Sequence, residues 1–174
     1  MRLAVSEVDQ RSYIALNKWQ ERRALLTAYR AISRSADGQL YVLIALIVMV
    51  WGNDQAALAL KTAVLAFGIE VPAFILLKKA IRRDRPFVHL AQSKTALTPS
   101  DQFSMPSGHT AAAFVAASLF FVFLPNLSYL AFLWASMVGV SRVVLGVHYP
   151  TDVVAGAALG SLSVYIATGF GVLL

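Results

Sequence analysis

Cysteine is absent from the 174-residue chain, which excludes disulfides and any metal site built on thiolates. Its absence says nothing of the compartment. Charge is scarce as well: 14% of residues carry one, against 58% that are hydrophobic, a balance too apolar for an ordinary soluble domain. Acidic residues are the rarer sign, 9 against 15 Lys and Arg, for a formal net charge of +6. That excess suits either adhesion to anionic lipid headgroups or capture of an anionic substrate. Nucleic acid is not an expected partner, because the basic residues flank apolar runs and no nucleic-acid module is visible. Residues 1–35 are charged throughout and contain no apolar h-region, so no cleavable signal peptide is expected. There is no internal repeat and no low-complexity tract, and the length suits one domain over 1–174.

Against these absences stand five apolar runs, at about Gly38–Trp51, Ala56–Leu77, Thr110–Leu124, Leu127–Val144 and Val153–Leu174. The first is short for a span of roughly 20 residues, and local thinning of the bilayer would accommodate it. The breaks at "WGNDQ" and "LPNLS" hold the Gly, Pro, Asn and Asp of turns. Lipid cannot satisfy open backbone groups, so each span must be helical. The expected fold is an all-α, multi-span transmembrane bundle with about five spans. Residues 38–174 form the catalytic bundle in this reading. Residues 1–37 form an amphipathic interfacial segment in which Tyr13, Leu16, Trp19, Leu25, Leu26 and Tyr29 alternate with Arg22, Arg23 and Arg30. With five spans, the amino terminus, the polar loop from about Lys78 to Gly108 and the 141–152 loop share one face.

Three clusters lie on that face: "KKAIRRDRP" from Lys78, "PSGH" from Pro106, and "SRVVLGVHYPTD" from Ser141. Alone, the first reads as a snorkelling anchor, the second as a helix start capped by Ser107, and His148 as a satisfied buried histidine. Together they make a phosphate site. Pro106 stiffens the approach to the third span, and Gly108 allows close backbone approach to a ligand. A helix N-terminus offers free N–H groups and a positive dipole end to a phosphate. His109 sits at its mouth, with a pKa class suited to proton transfer. Asp152, four residues after His148 at the start of the last helix, can hold one imidazole nitrogen and aim the other outward. That is the arrangement of an oriented nucleophile. Arg142 adds a fork of donors, and Lys78 and Arg85 complete the charge that a transferring phosphoryl group needs. A metal site made from His109, His148 and Asp152 has no HExxH or carboxylate-rich spacing behind it.

Lys78, six residues, Arg85-Pro86; then Pro106-Ser107-Gly108-His109; then Ser141-Arg142, five residues, His148, three residues, Asp152: the set resembles the tripartite signature of the type-2 phosphatidic acid phosphatase superfamily. The resemblance runs over roughly residues 60–165. It implies an integral membrane lipid phosphate phosphatase with no metal, no cofactor and no obligate protein partner, acting on a lipid phosphomonoester or pyrophosphate. In the roles it implies, His148 attacks phosphorus to form a phosphohistidine and Asp152 orients it. His109 protonates the leaving oxygen and then activates water. Lys78, Arg85, Arg142, Ser107 and the Gly108 amide cradle the phosphate. Membrane members often have six spans, so the amphipathic segment here either takes the place of a first span or covers the lipid entrance. Soluble relatives, the bacterial acid phosphatases and vanadium-dependent haloperoxidases, do not fit the hydropathy. Substrates of the phosphatidylglycerol phosphate, phosphatidic acid, prenyl (undecaprenyl) diphosphate and lipid A 1-phosphate types all suit the signature. A lipid phosphotransferase and a non-catalytic lipid-phosphate binder are the alternatives.

Beyond the signature, mid-span Glu70 is expected to pair with Lys78 or Arg82, or to make a structural interhelix hydrogen bond. His89 is expected in solvent. The 88–104 loop is a candidate lid, with Phe103 and Met105 near the pocket mouth. On a five-span topology only Lys61 among the Lys and Arg lies toward the "GNDQ" face. The positive-inside rule then turns the active-site face to the cytoplasm of a bacterial inner membrane, although many bacterial members face the periplasm.

Overall fold

A computed structural model describes residues 6–99 and 101–171. Among them every regular element is helical: α1 (Glu7–Asn17), a single 3-10 turn (Lys18–Glu21), α2 (Arg23–Arg34), α3 (Gly38–Trp51), α4 (Asp54–Ile81), α5 (Pro86–His89), α6 (Gly108–Phe123), α7 (Pro125–Val144) and α8 (Pro150–Gly171). The five apolar runs are α3, α4, α6, α7 and α8; the end of the last run, 172–174, lies outside the described residues. α4, α7 and α8 are each long and apolar enough to cross a membrane. α3, with 14 residues, rises only about 21 Å. It follows α2 across a bend of 46°, and the two together qualify as a fourth span. α6 is apolar but has 16 residues.

The bundle is centred on α6, which packs against α4, α7 and α8. Small residues allow the closest approach. A Cβ on Gly156 would lie 2.5 Å from the Ser107 carbonyl oxygen, and one on Gly160 would lie 2.2 Å from that of Ala111. α8 therefore lies backbone-to-backbone on α6, the small-residue contact that lets helices associate where lipid removes the hydrophobic drive. The Ser107 N–H donates to the Asp152 carbonyl at 3.0 Å, so the start of α6 is tied to the start of α8. Between the helices, Ala113, Ala117, Ala135 and Val138 form one core cluster and Ala66, Val115, Val164 and Ala167 another. The outward faces carry exposed apolar side chains such as Val42, Met49, Val64, Leu76, Val154 and Tyr165, as a lipid-facing surface requires.

The amino-terminal segment, expected to be amphipathic and interfacial, also packs on the bundle. α1 and α2 dock across the end of the bundle, on α7 and the start of α8. Tyr13 is fully buried, with its ring 5.4 Å from that of Tyr149. Asn17 Nδ2 donates to the Lys94 carbonyl at 3.0 Å and to the Val144 carbonyl at 3.1 Å. Of the expected apolar residues Tyr13 is buried, Leu16, Leu25, Leu26 and Tyr29 are half-buried and Trp19 is exposed; the other buried side chains of Glu7–Arg34, namely Asp9, Asn17, Gln20 and Ser33, are polar, and with them the segment closes over the polar end of the helices.

Candidate active site

The three clusters meet at that closed end. Lys78 lies in the last turn of α4. The helix stops at Arg82, whose backbone is left-handed at φ 50°, a conformation usually left to glycine at a helix end. The chain beyond it swings Arg83 and Arg85 back into the bundle, where both are 2% exposed. The "PSGH" segment starts α6, with Gly108 as its first residue. Arg142 is in the last turn of α7. Gly146, at φ +86° and pressed on the Lys94 carbonyl, turns the chain so that His148 points inward before Pro150 opens α8.

A cavity of about 230 Å³ results, lined by Phe74, Lys78, Arg85, Pro99, Asp101, Gly108, His109, Arg142 and His148. Six of the eight candidate site residues thus share one wall. The other two stand behind it. Asp152, 0% exposed, presents Oδ2 at 3.6 Å from His148 Nδ1 and also accepts the Tyr149 N–H at 2.7 Å. That ring nitrogen faces the carboxylate, which leaves Nε2 for the cavity. At 3.6 Å the pair is longer than a formed hydrogen bond, as is common before substrate binds. Burial pushes the His148 pKa down to about 4, against the opposing pull of Asp152, so the ring is neutral and nucleophilic at pH 7. Ser107 is fully buried, makes no side-chain cap, and its hydroxyl accepts the Thr110 hydroxyl at 2.9 Å.

Four residues that the motifs do not specify complete the site. Asp101 bridges the cradle: Oδ2 takes the Lys78 ammonium at 2.7 Å and Oδ1 takes Arg85 Nη2 at 2.9 Å. Partial burial pushes its carboxyl up, but bonds from Lys78 and Arg85 more than reverse this and hold it below the usual carboxylate range. Arg85 also donates to the Val147 carbonyl at 2.7 Å. Asp37, in the α2–α3 bend, meets His109 Nε2 at 3.1 Å. Ser33 Oγ accepts Arg142 Nη1 at 2.6 Å. Arg83 Nη1 donates to Asp152 Oδ1 at 2.6 Å. Nothing in the local sequence pattern singled these residues out: Asp37, Arg83 and Asp101 lie between helices and meet the site through tertiary contacts.

Other expectations need correction. Glu70 is buried but does not reach Lys78 or Arg82: Lys78 pairs with Asp101, and Arg82 Nε donates to the Lys79 carbonyl at 2.8 Å. Eight residues of helix separate Glu70 from Lys78 by about 12 Å. His89 is exposed as expected, with its Nε2 2.9 Å from Asp84 Oδ2. Phe103 and Met105 do not line the cavity; Phe74 and Pro99 supply its apolar wall. The 88–104 loop reaches the site through Pro99 and Asp101.

Asp101 occupies both cations, so an anion that entered the cavity to bind them would have to displace it. Asp101→Asn is therefore expected to lower KM for a phosphate substrate about two- to fivefold, the scale of weakening partly exposed ion pairs. Steady-state kinetics of both proteins in one detergent check this; an unchanged or raised KM contradicts it.

Comparison with known proteins places this geometry. A family model described as the PAP2 superfamily matches residues 55–171. Over 117 residues the chain is 37% identical to phosphatidylglycerophosphatase B of Bacillus subtilis, covering 61% of this chain and 55% of that one. Over 79 residues it is 40% identical to bacitracin transport permease protein BcrC of Bacillus licheniformis, covering 45% and 39%. The matches thus span about half or less of these relatives' own lengths. Among solved structures, LpxE of Aquifex aeolicus superposes with a TM-score of 0.86 at 24% identity, over 97% of this chain and 99% of that one. A transmembrane PAP2-type phosphatidylglycerolphosphate phosphatase of B. subtilis superposes at 0.71 with 27% identity, over 97% and 89%. With a family model matched over most of its length, its helices superposing on those neighbours, the chain belongs to the PAP2 superfamily.

Proposed function

We propose that the protein is an integral membrane phosphatase that hydrolyses a lipid phosphomonoester or pyrophosphate through a phosphohistidine at His148. The observation that carries this reading is one buried, neutral imidazole backed by a carboxylate and facing a cavity that three cations and a second histidine line. Binding alone would need only the cations. The relatives' names, a phosphatidylglycerophosphatase among them, support a lipid phosphate as substrate.

The chemistry follows from the groups present. A phosphate entering the cavity displaces Asp101 from Lys78 and Arg85, and its oxygens take the donors of Lys78, Arg85, Arg142 and the amide at the start of α6. His148 Nε2 attacks phosphorus; a P–N bond forms as the P–O bond to the lipid breaks. His109 gives its proton to the leaving oxygen. Asp152 stabilises the positive charge that grows on the His148 ring. Water then attacks phosphorus, His109 takes the water's proton, and the P–N bond breaks to release phosphate. The apolar spans hold this cavity where a membrane lipid can present its headgroup. The distribution of Lys and Arg favours a cytoplasmic active-site face of a bacterial inner membrane.

The test is phosphate release by detergent-purified protein with EDTA present. The panel comprises phosphatidylglycerol phosphate, phosphatidic acid, undecaprenyl diphosphate and lipid A 1-phosphate. Release from at least one lipid is expected. Release from none, or transfer of the phosphoryl group to an added alcohol in place of water, would overturn hydrolysis.

A further inference from the structure

The His148–Asp152 pair does not end at Asp152. Arg83, behind it, forms an ion pair with Asp9 of α1 through its second amino group, Nη2. Asp9 is 3% exposed, Arg83 2% and Asp152 0%. Asp9 further accepts the Thr151 N–H at 3.1 Å on Oδ1 and the Thr151 hydroxyl at 2.5 Å on Oδ2. The Arg83 guanidinium lies 4.5 Å over the Tyr149 ring, which Tyr13 of α1 packs against. A chain of four buried groups therefore runs from the cavity to the amino-terminal helix: His148, Asp152, Arg83, Asp9.

Two physical features give Asp9 work to do. The first is geometric. The residue before α8 is Tyr149, whose phenolic oxygen sits at the far end of the ring and is not an N-cap group. Asp152 reaches back to the Tyr149 N–H, and the next free amide, that of Thr151, is capped by Asp9 from another helix. The backbone that carries both His148 and Asp152 is thus fixed from α1. The second is electrostatic. Arg83 paired with Asp152 alone would cancel the charge that His148 needs beside it. A second buried carboxylate on Arg83 restores a net negative anchor when the ring becomes positive.

We propose that Asp9 is a positioning residue for the His148 reaction, acting through Arg83 and Thr151 on Asp152. The inference rests on the function proposed above for its kinetic consequence, and on the four-group chain for its structural one. The amino-terminal helix is then part of the catalytic unit as well as a cover for it.

Asp9→Asn removes the charge while its amide oxygen can still accept the Thr151 N–H. Turnover on the best lipid of the panel is expected to fall on the order of tenfold, as when the outer partner of a positioned histidine is lost, with KM changed less than about twofold. Ser93→Ala, which removes the partner of the Tyr13 hydroxyl, loosens α1 without touching Arg83 and is expected to keep full turnover. A second readout does not need turnover. The chain has three histidines, so ring NMR signals of labelled protein can be assigned by single substitutions. Asp9→Asn is expected to shift those of His148 and leave those of His89 and His109 in place. Unchanged kcat in an active enzyme, an equal loss in Ser93→Ala, or unmoved His148 signals would overturn the inference. An inactive parent would overturn the proposed function instead, and the NMR comparison would still decide the role of Asp9.

Discussion

Phosphate release by His148→Ala is expected to fall by about ten-thousandfold or more, the scale seen when a catalytic nucleophile is removed from an otherwise intact site. Lys78, Arg85 and Arg142 are held by Asp101, the Val147 carbonyl and Ser33, so lipid phosphate should still bind, with KM or a competition constant for inorganic phosphate changed only a few-fold. That split separates a nucleophile from a binding residue. A His148→Ala protein that turns over within tenfold of the parent would mean that the cavity activates water directly and the imidazole is a wall. The buried neutral ring argues otherwise, because desolvation keeps it unprotonated down to a pH of about 4.

Arg83→Met is expected to be the most destabilising single change in the polar end of the bundle. The substitution leaves Asp9 and Asp152, both nearly inaccessible, without the cation between them. Removing one partner of a buried ion pair costs about 3–5 kcal/mol. For a chain of this size that corresponds to a fall in Tm on the order of 10 °C. Thermal unfolding in one detergent measures it. Adding Asp9→Asn to Arg83→Met should recover part of the loss, because it removes one of the two stranded charges. A Tm within about 2 °C of the parent would show that water reaches Arg83 and that the chain of buried charges is not sealed.

The fold was readable because hydropathy is a one-dimensional signal. α3 begins and ends where the first apolar run does, and α7 ends at Val144 as expected. Lipid leaves a helix as the only open structure for such runs, so the expectation needed no knowledge of packing. Six residues lining the cavity were readable because their types and spacings follow local geometry: His148 comes four residues before Asp152, on the approach to α8, and Gly108 opens a helix. Asp9, Asp37 and Asp101 were not. Asp9 and Asp37 meet partners more than seventy positions away. In the sequence Asp9 looks like an acid in the first turn of an amphipathic helix, where the helix dipole alone accounts for it. Asp101 sits in "PSDQFS", a polar loop by composition. Arg83 is one of five cations between Lys78 and Arg85, and nothing local tells the snorkelling Arg82 from the buried Arg83. What separates them is the left-handed turn at Arg82, a tertiary outcome of where α4 stops.

Glu70 shows the opposite limit. An ionisable group within a span invites a functional partner, and the nearest cations by sequence were the natural candidates. The helix rise puts them out of reach, and Lys78 has Asp101 instead. Proximity along a sequence misled here because the counter-charge came from a loop that wraps back onto the helix end.

The phosphohistidine is the claim on which the rest depends, and it can be trapped. His109→Ala removes the acid of the first step and the base of the second, so the covalent intermediate should form more slowly than in the parent but persist once formed. The protein is incubated with its preferred lipid carrying labelled phosphate, quenched in alkali, where phosphohistidine survives, and digested. Label on the peptide containing His148, retained in His109→Ala and absent from His148→Ala, is the expected result. Release of phosphate by the parent with no label on His148 in any variant, or label carried by another residue, would contradict it.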